Sequence, residues 1–365
     1  MKNSKFEIRN SKFWFILLLI FVFPNLVFAS RIVSFRQAPR ITWDISTQYD
    51  DNIFLYSQEY LYDFKHQIRP HRFPFRTYDD LVTRLNLGLY VPLRAGNQRT
   101  NINMFYRQYL YAVNTQKSYQ IISASINQQI ANRFNIELGY LLMPSYLIRY
   151  YRNPLGPATD YTGCIFTEHL MTARLQSRFT NLTLTPFFQY EIDDYIKNFD
   201  HYDGYALRYG LNAFIRQLSF VNISAGFMRK QYYAQGSVPD ISYHENRFSL
   251  RLTPSLGMTK FNLSTQIQYA RRVFTTDNPF QIDPYHRDRI DSKYTANIEL
   301  SYEVSRNFEI YTGYEFEQRR VTTPFQIDIE EIKDYNNNIY RLGVKFNPGT
   351  IFNAARTSNI EHDQE

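Results

Sequence analysis

Cysteine is all but missing: Cys164 stands alone in 365 residues. An intramolecular disulfide is thereby excluded, and none of the seven histidines stands at metal-ligand spacing to that thiol. Tryptophan occurs twice, while 13 glycines and 15 prolines are too few for a collagen-like or low-complexity chain. Beyond Phe28 there is no long apolar run, so no part of the remaining chain reads as a transmembrane helix. Catalytic signatures are missing as well. No G-x-S-x-G elbow, H-E-x-x-H pair or Walker loop is present, and no serine is marked by its neighbours as a nucleophile. An enzyme is not expected. Excess charge is small too. The formal net charge is +7, of which the four bases and Glu7 of the first 29 residues supply +3, leaving +4. That remainder is too low and too dispersed to imply a nucleic-acid partner.

What is there begins with a leader. Lys2, Lys5, Arg9 and Lys12 precede the apolar run Phe13–Phe23, and Val27 and Ala29 are placed like the small residues before a cleavage site. Residues 1–29 read as a secretory signal peptide, with Ser30 the first mature residue. The run is shorter than the ~20 residues a spanning helix needs.

Aromatics are abundant, with 31 Tyr and 30 Phe, which favours strands over helices. Period-2 alternation then recurs from Ile41 to Phe346. It predicts strands over 41–49, 81–91, 100–111, 119–129, 134–142, 169–178, 182–192, 202–215, 220–231, 245–253, 261–271, 293–302, 308–318 and 337–346. The count is fourteen, within a range of twelve to sixteen. Pro186 is a blemish in the seventh, because it forfeits a ladder hydrogen bond. In the fourth, Ile121 and Ile122 leave the register open. Strands of this length suit a tilted membrane crossing, whereas soluble strands average nearer five or six residues.

The connections are mostly long after odd-numbered strands and short after even-numbered ones. Residues 143–168 form one expected long loop; the stretch near Val113–Ser118 is an exception to the alternation. This two-sided bias predicts an all-β fold: a closed antiparallel transmembrane β-barrel over 30–346 in a cell outer membrane, with short periplasmic turns and long outer loops. Residues 347–365 would form a periplasmic tail.

On that reading the polar parity faces the inside. Arg84, Arg107, Arg174, Arg208, Glu245, Arg247, Arg251, Glu309, Glu315 and Arg341 are expected to line the lumen. A charge facing midplane lipid would cost about 2–4 kcal/mol. Arginine exceeds glutamate in this set, so the lumen is expected to prefer anions modestly. Tyr90, Tyr109, Tyr111, Tyr140, Tyr269, Tyr302 and Phe346 are expected in the interfacial girdles.

The segment Gln48–Phe54, QYDDNIF, resembles the Tyr-Asp-(Asp/Ser)-Asn-(Val/Ile)-Phe opening of porin-like outer-membrane barrel proteins, some of which are associated with exopolysaccharide export. The resemblance implies a porin-like barrel without naming a solute. One departure is the absence of an aromatic residue at the extreme C-terminus, since NPGTIFNAARTSNIEHDQE follows Phe346.

Fourteen strands enclose more space than side chains fill. The expected function is passive diffusion or uptake of small hydrophilic solutes. A structural or polysaccharide-export barrel, plugged by 50–80 folding inward, is the alternative, and a barrel-form enzyme is a third reading. Expected partners are outer-membrane lipids, lipopolysaccharide, the barrel-insertion machinery and the solutes. No cofactor or metal is expected. Asp277, Asn278, Asp283, Asp288 and Asp291 offer hard oxygens for Ca²⁺ in one loop, but without EF-hand spacing they read as a solvated surface. His66 and His71 near Asp63 read the same way. Mass spectrometry of the exported protein should show a chain starting at Ser30; an intact Met1 start would mean that the leader is retained.

Overall fold

A computed structural model describes residues 33–35, 38–95, 98–218, 220–254, 256, 260–325, 329 and 333–347. The leader over 1–29, and the 347–365 tail beyond Asn347, lie outside the described residues. The barrel strands are β1 (Arg40–Asp50), β2 (Asp80–Ala95), β3 (Gln98–Tyr111), β4 (Tyr119–Ala131), β5 (Phe134–Arg152), β6 (Tyr161–Arg178) and β7 (Leu182–Tyr195). They continue as β8 (Gly204–Leu218), β9 (Val221–Ala234), β10 (Tyr243–Pro254), β11 (Phe261–Phe274), β12 (Ile290–Ser305), β13 (Phe308–Thr322) and β14 (Tyr335–Phe346). Each pairs antiparallel with its sequence neighbours, and β14 returns to β1 through Phe346↔Trp43 and Ile339↔Asp50. The result is a closed fourteen-stranded barrel. Val33–Phe35 adds a short pairing to Leu93–Ala95 at the far end of β2.

Closure satisfies a solvent problem. Hydrocarbon offers no hydrogen-bond partner, so an open sheet edge would strand its N–H and C=O groups at several kcal/mol each. Pro186 fits without breaking the ring. The β6–β7 ladder lapses opposite it, between Arg174↔Phe187 and Ser177↔Leu184, and resumes in the same register.

The connections sort by end. Residues 96–97, 132–133, 179–181, 219–220, 255–260 and 306–307 join strands at one end; 51–79, 112–118, 153–160, 196–203, 235–242, 275–289 and 323–334 join them at the other. The connection at 112–118 therefore obeys the alternation. Most of 143–168 is strand, not loop. There, β5 runs on to Arg152 and β6 begins at Tyr161, with register shifts at Met143/Tyr146 and Leu147/Tyr150 and a φ of 55° at Ser145. Tyr146, Leu147, Ile148 and Tyr150 are strand formers, but bulges break the strict alternation that reveals a strand in sequence.

Burial separates the faces. In β1, Ile41, Trp43, Ile45 and Tyr49 are exposed, whereas Ser46, Gln48 and Asp50 are buried inside. The outward parity continues round the ring through Leu87, Met104, Ile122, Phe188, Tyr209, Phe248, Ile267, Ile298, Ile310 and Leu342, all exposed. So continuous an apolar exterior on a closed ring is stable only against lipid. No helix of the described residues is long and apolar enough to cross a membrane; the strands do so. In β4, pairing of Ile121 with Arg107 and of Ile122 with Tyr106 turns Ile121 inward and Ile122 outward.

A fluorophore on a cysteine replacing Leu250 should be quenched by brominated lipid, while one at position 251 is spared. The reverse would put the register one residue out, because a single-step slip exchanges the two faces.

Candidate functional site

All ten residues expected on the inner face fall on the inward parity, and most meet an opposite charge from a neighbouring strand. Arg84 reaches Asp44 at 3.2 Å and donates to the Tyr311 hydroxyl at 2.8 Å, while Tyr311 donates to Asp44 at 2.7 Å. Arg107 donates to Asn86 at 2.6 Å. Arg174 pairs with Glu137 at 2.8 Å. Arg208 pairs with Glu191, whose other oxygen takes Lys230 at 2.8 Å. Glu245 is shared by Arg247 at 2.7 Å and Arg272 at 2.9 Å. Arg251 donates to Gln266 at 3.1 Å, Arg341 lies 3.9 Å from Glu315, and Lys345 bridges Glu299 and Glu309 at 3.2 and 3.1 Å.

These pairs revise the expected charge of the lumen. Counting the ten residues alone gives an excess of arginine. The structure adds Asp44, Glu137, Glu191 and Glu299 to the same face, so the arginines are largely compensated. Alternation within their strands would have marked these acids. Which charge each one meets follows only from the register.

Tyr311 depends on a special backbone position. A Cβ on Gly343 would lie 2.4 Å from the Tyr311 ring, so only glycine lets the ring lie flat against β14 and reach Asp44. Three of the tyrosines expected in the girdles also face inward. Tyr90 donates to Asn101, and Tyr109 and Tyr111 pack against the cluster described next.

The connection 51–79 folds back into the mouth. QYDDNIF carries the chain from the end of β1 into this connection, and its acids and Asn52 hold the turn. Asp50 accepts from the Asn52 amide at 3.0 Å, and Asp51 takes the Asn338 amide and side chain at 2.7 Å each. The Asn52 side chain clamps both main-chain groups of Tyr56 at 2.9 and 2.8 Å and donates to the Asn336 carbonyl at 3.0 Å. The chain is thereby turned inward, and Ile53, Phe54 and Tyr56 are buried with Leu61, Phe73, Val82, Tyr111 and Leu147. Helix α1 (Gln58–Lys65), capped by the Ser57 hydroxyl on the Tyr60 amide, carries Leu61 into this cluster. Phe54 meets Phe75 at 4.3 Å, and Phe64 stacks on Phe75 at 5.0 Å. Burying side chains of this size is worth roughly 1.5–3 kcal/mol each.

The bent β5–β6 hairpin supplies the far side. Arg149 donates to the Leu55 carbonyl at 3.1 Å. Tyr151 reaches the loops of distant strands, with Phe199 at 6.2 Å and the Lys333 ammonium at 5.4 Å. The hairpin thus crosses the mouth, since β1 to β4 separate β5 from β14 in the ring.

Lys117 lies beneath this cover. Its Nζ donates to the Leu147 and Ile148 carbonyls at 2.7 and 2.9 Å and sits over the Phe54 and Tyr146 rings at 5.1 and 5.0 Å. Burial pushes its ammonium down to about 7, with the Asp50 charge opposing. A neutral amine still donates to both carbonyls.

Elsewhere the acidic groups are spoken for. Asp283 bonds His286 at 2.7 Å, Asp288 pairs with Arg287 at 3.1 Å and Asp291, at the start of β12, holds Arg289 at 2.6 Å through both oxygens, so among the described residues these acids form no metal-ligand group. Glu168, Glu191 and Asp193 do come together, but Arg208 and Lys230 occupy that cluster. The imidazole of His66 donates from Nδ1 to the Tyr62 carbonyl, and His71 lies beside Tyr161.

Because the covered mouth holds Lys117 at a lowered value, the docked state binds fewer protons than the undocked one between about pH 7 and the free lysine range. Docking should strengthen as pH rises through that window and be weakest below it. A nitroxide at position 58 should show a larger mobile fraction at pH 6 than at pH 9.5, with the difference lost in Lys117→Met. An identical pH response in Lys117→Met would assign the effect to another group.

No protein-family model matches the sequence, and no curated protein does either. Among solved structures, the chain is similar to the outer membrane channel DcaP of Acinetobacter baumannii at 10% identity, TM-score 0.47, covering 87% of this chain and 98% of that one. It is similar to a loop-deletion mutant of OmpT, an outer membrane protein of Vibrio cholerae, at 8% identity and TM-score 0.47, covering 85% and 99%. It is also similar to a bacterial polysaccharide outer membrane secretin at 8% identity and TM-score 0.45, covering 84% and 97%. The barrel itself is established by the chain's own closed ladder, and its apolar belt, together with its polar, charge-paired interior, makes it an outer-membrane barrel.

Proposed function

We propose that the protein is a porin-like channel for passive movement of small hydrophilic solutes, closed at its long-loop mouth in the conformation seen here. The observation that carries this reading is a polar cavity of about 390 Å³ on the inner wall, lined by Arg251, Gln266, Lys293, Glu299, Glu315 and Arg341. Side chains that filled the barrel would leave no such space. Paired charges instead leave a wet wall that can exchange hydrogen bonds with a passing solute. In this reading residues 1–29 are a cleaved leader, the long connections face outward, and the barrel meets lipopolysaccharide there after insertion by the barrel-assembly machinery. No bond is made or broken.

The packed mouth favours a second reading, in which the barrel is a structural or export-associated component whose cover stays shut. The two separate in a planar bilayer. A channel should conduct in discrete steps, and deleting 52–78 should raise the open fraction at least severalfold. Its ion selectivity should be weak and should fade with salt, because the wall charges are compensated and screened. Folded protein that stays silent both intact and after the deletion would favour the structural barrel.

A further inference from the structure

Three cations gather at the covered mouth. Arg149 comes from the bent end of β5, Arg319 from the outer end of β13, and Lys333 from the turn entering β14. Among the described residues none of the three makes an ion pair. Their hydrogen-bond partners are carbonyls. Arg149 donates Nη2 to the Leu55 carbonyl, and Arg319 donates Nε and Nη2 to the Lys333 carbonyl at 2.9 and 2.6 Å. The rest are ring faces. Arg149 lies 5.3 Å from the Tyr56 centroid, and Arg319 lies 4.7 Å from that of Tyr335. Arg149 and Lys333 both lean on Tyr151, at 5.9 and 5.4 Å, which brings two like charges to one ring.

Two further observations point to a missing partner. Arg149 is 95% buried by its 5% exposure, yet its Nε has no hydrogen-bond partner. A buried guanidinium with an orphaned donor is costly unless something negative completes it. Lys333 also feels its neighbours: burial, then Arg149, Arg289 and Arg319, push its ammonium well below the ordinary lysine range, with Asp291 opposing. Asp291 is already held by Arg289. The contrast with the lumen wall is sharp, since cations there are answered by Asp44, Glu137, Glu191, Glu245 and Glu299.

We propose that Arg149, Arg319 and Lys333 form an oxyanion-binding site at the long-loop mouth, built for a solute that carries two or more carboxylate or phosphate oxygens. Guanidinium forks suit either group, and the ammonium adds a movable point charge. The inference deepens the channel reading by naming a solute class, and it rests on that reading for its use in transport. Binding itself can be measured without conduction.

The test is equilibrium dialysis of the folded, full mature chain in detergent, with radiolabelled inorganic phosphate in one arm and radiolabelled propane-1,2,3-tricarboxylate in the other. Saturable binding near one anion per chain is expected at low salt, weakened at high salt. Lys333→Met, a change on a half-buried loop side chain, should weaken it at least tenfold, as should Arg149→Gln. Lys197→Met, which removes an exposed cation elsewhere, should leave it unchanged. The arm that binds more tightly identifies the oxyanion. No saturable binding of either probe by heat-modifiable, folded protein would overturn the site, and so would equal binding by Lys333→Met. Bilayer recordings on the same samples keep the two proposals apart. Conduction without binding removes the site and leaves the channel, whereas binding without conduction does the opposite.

Discussion

Every part of this molecule depends on one constraint: in hydrocarbon, a backbone N–H or C=O has no partner except another strand. The constraint explains why the ladder closes through β14 and β1, and why the strands run from 11 to 19 residues. It also explains why Pro186 sits where the β6–β7 pairing lapses. Once the ring is closed, side chains have only two environments, and alternation assigns each residue to one of them.

The inner environment is polar but not free. Arginine facing arginine across strands would repel, and burying one without a partner is more costly still. The wall answers with cross-strand pairs, such as Arg174 with Glu137, and with shared acids, such as Glu245 between Arg247 and Arg272. Exposed ion pairs contribute little to stability, about 0–1 kcal/mol each. Their effect here is on the solute path, where they neutralise the wall while keeping it wet.

At the long-loop end the logic changes. The 51–79 connection brings its own small apolar core into a polar barrel, and the bent hairpin of β5 and β6 meets it from the other side. Aromatic packing fixes the cover, while Lys117 and Arg149, buried beneath it, contact carbonyls and rings instead of carboxylates. A cover held by side-chain packing, and not by the strand ladder, can open without unfolding the barrel.

Fold class, strand number and facing were legible in the sequence because they follow from a local period of two and from connection length. Leu342 faces out and Arg341 in for the same reason that neighbours on any strand do. The acids that compensate the arginines carried the same signal, but their partners did not, since Arg84 meets Asp44 and Tyr311 only through the registers that link β13, β14, β1 and β2. Tyr109 and Tyr111 were misplaced because an aromatic residue near a strand end suits a membrane girdle and a covered mouth equally well. Residues 143–168 were hidden as strand because bulges erase alternation. The gathering of Arg149, Arg319 and Lys333 had no local trace at all. It arises where a hairpin bends across the mouth to meet strands on the other side of the ring, and such a meeting is a property of tertiary packing alone.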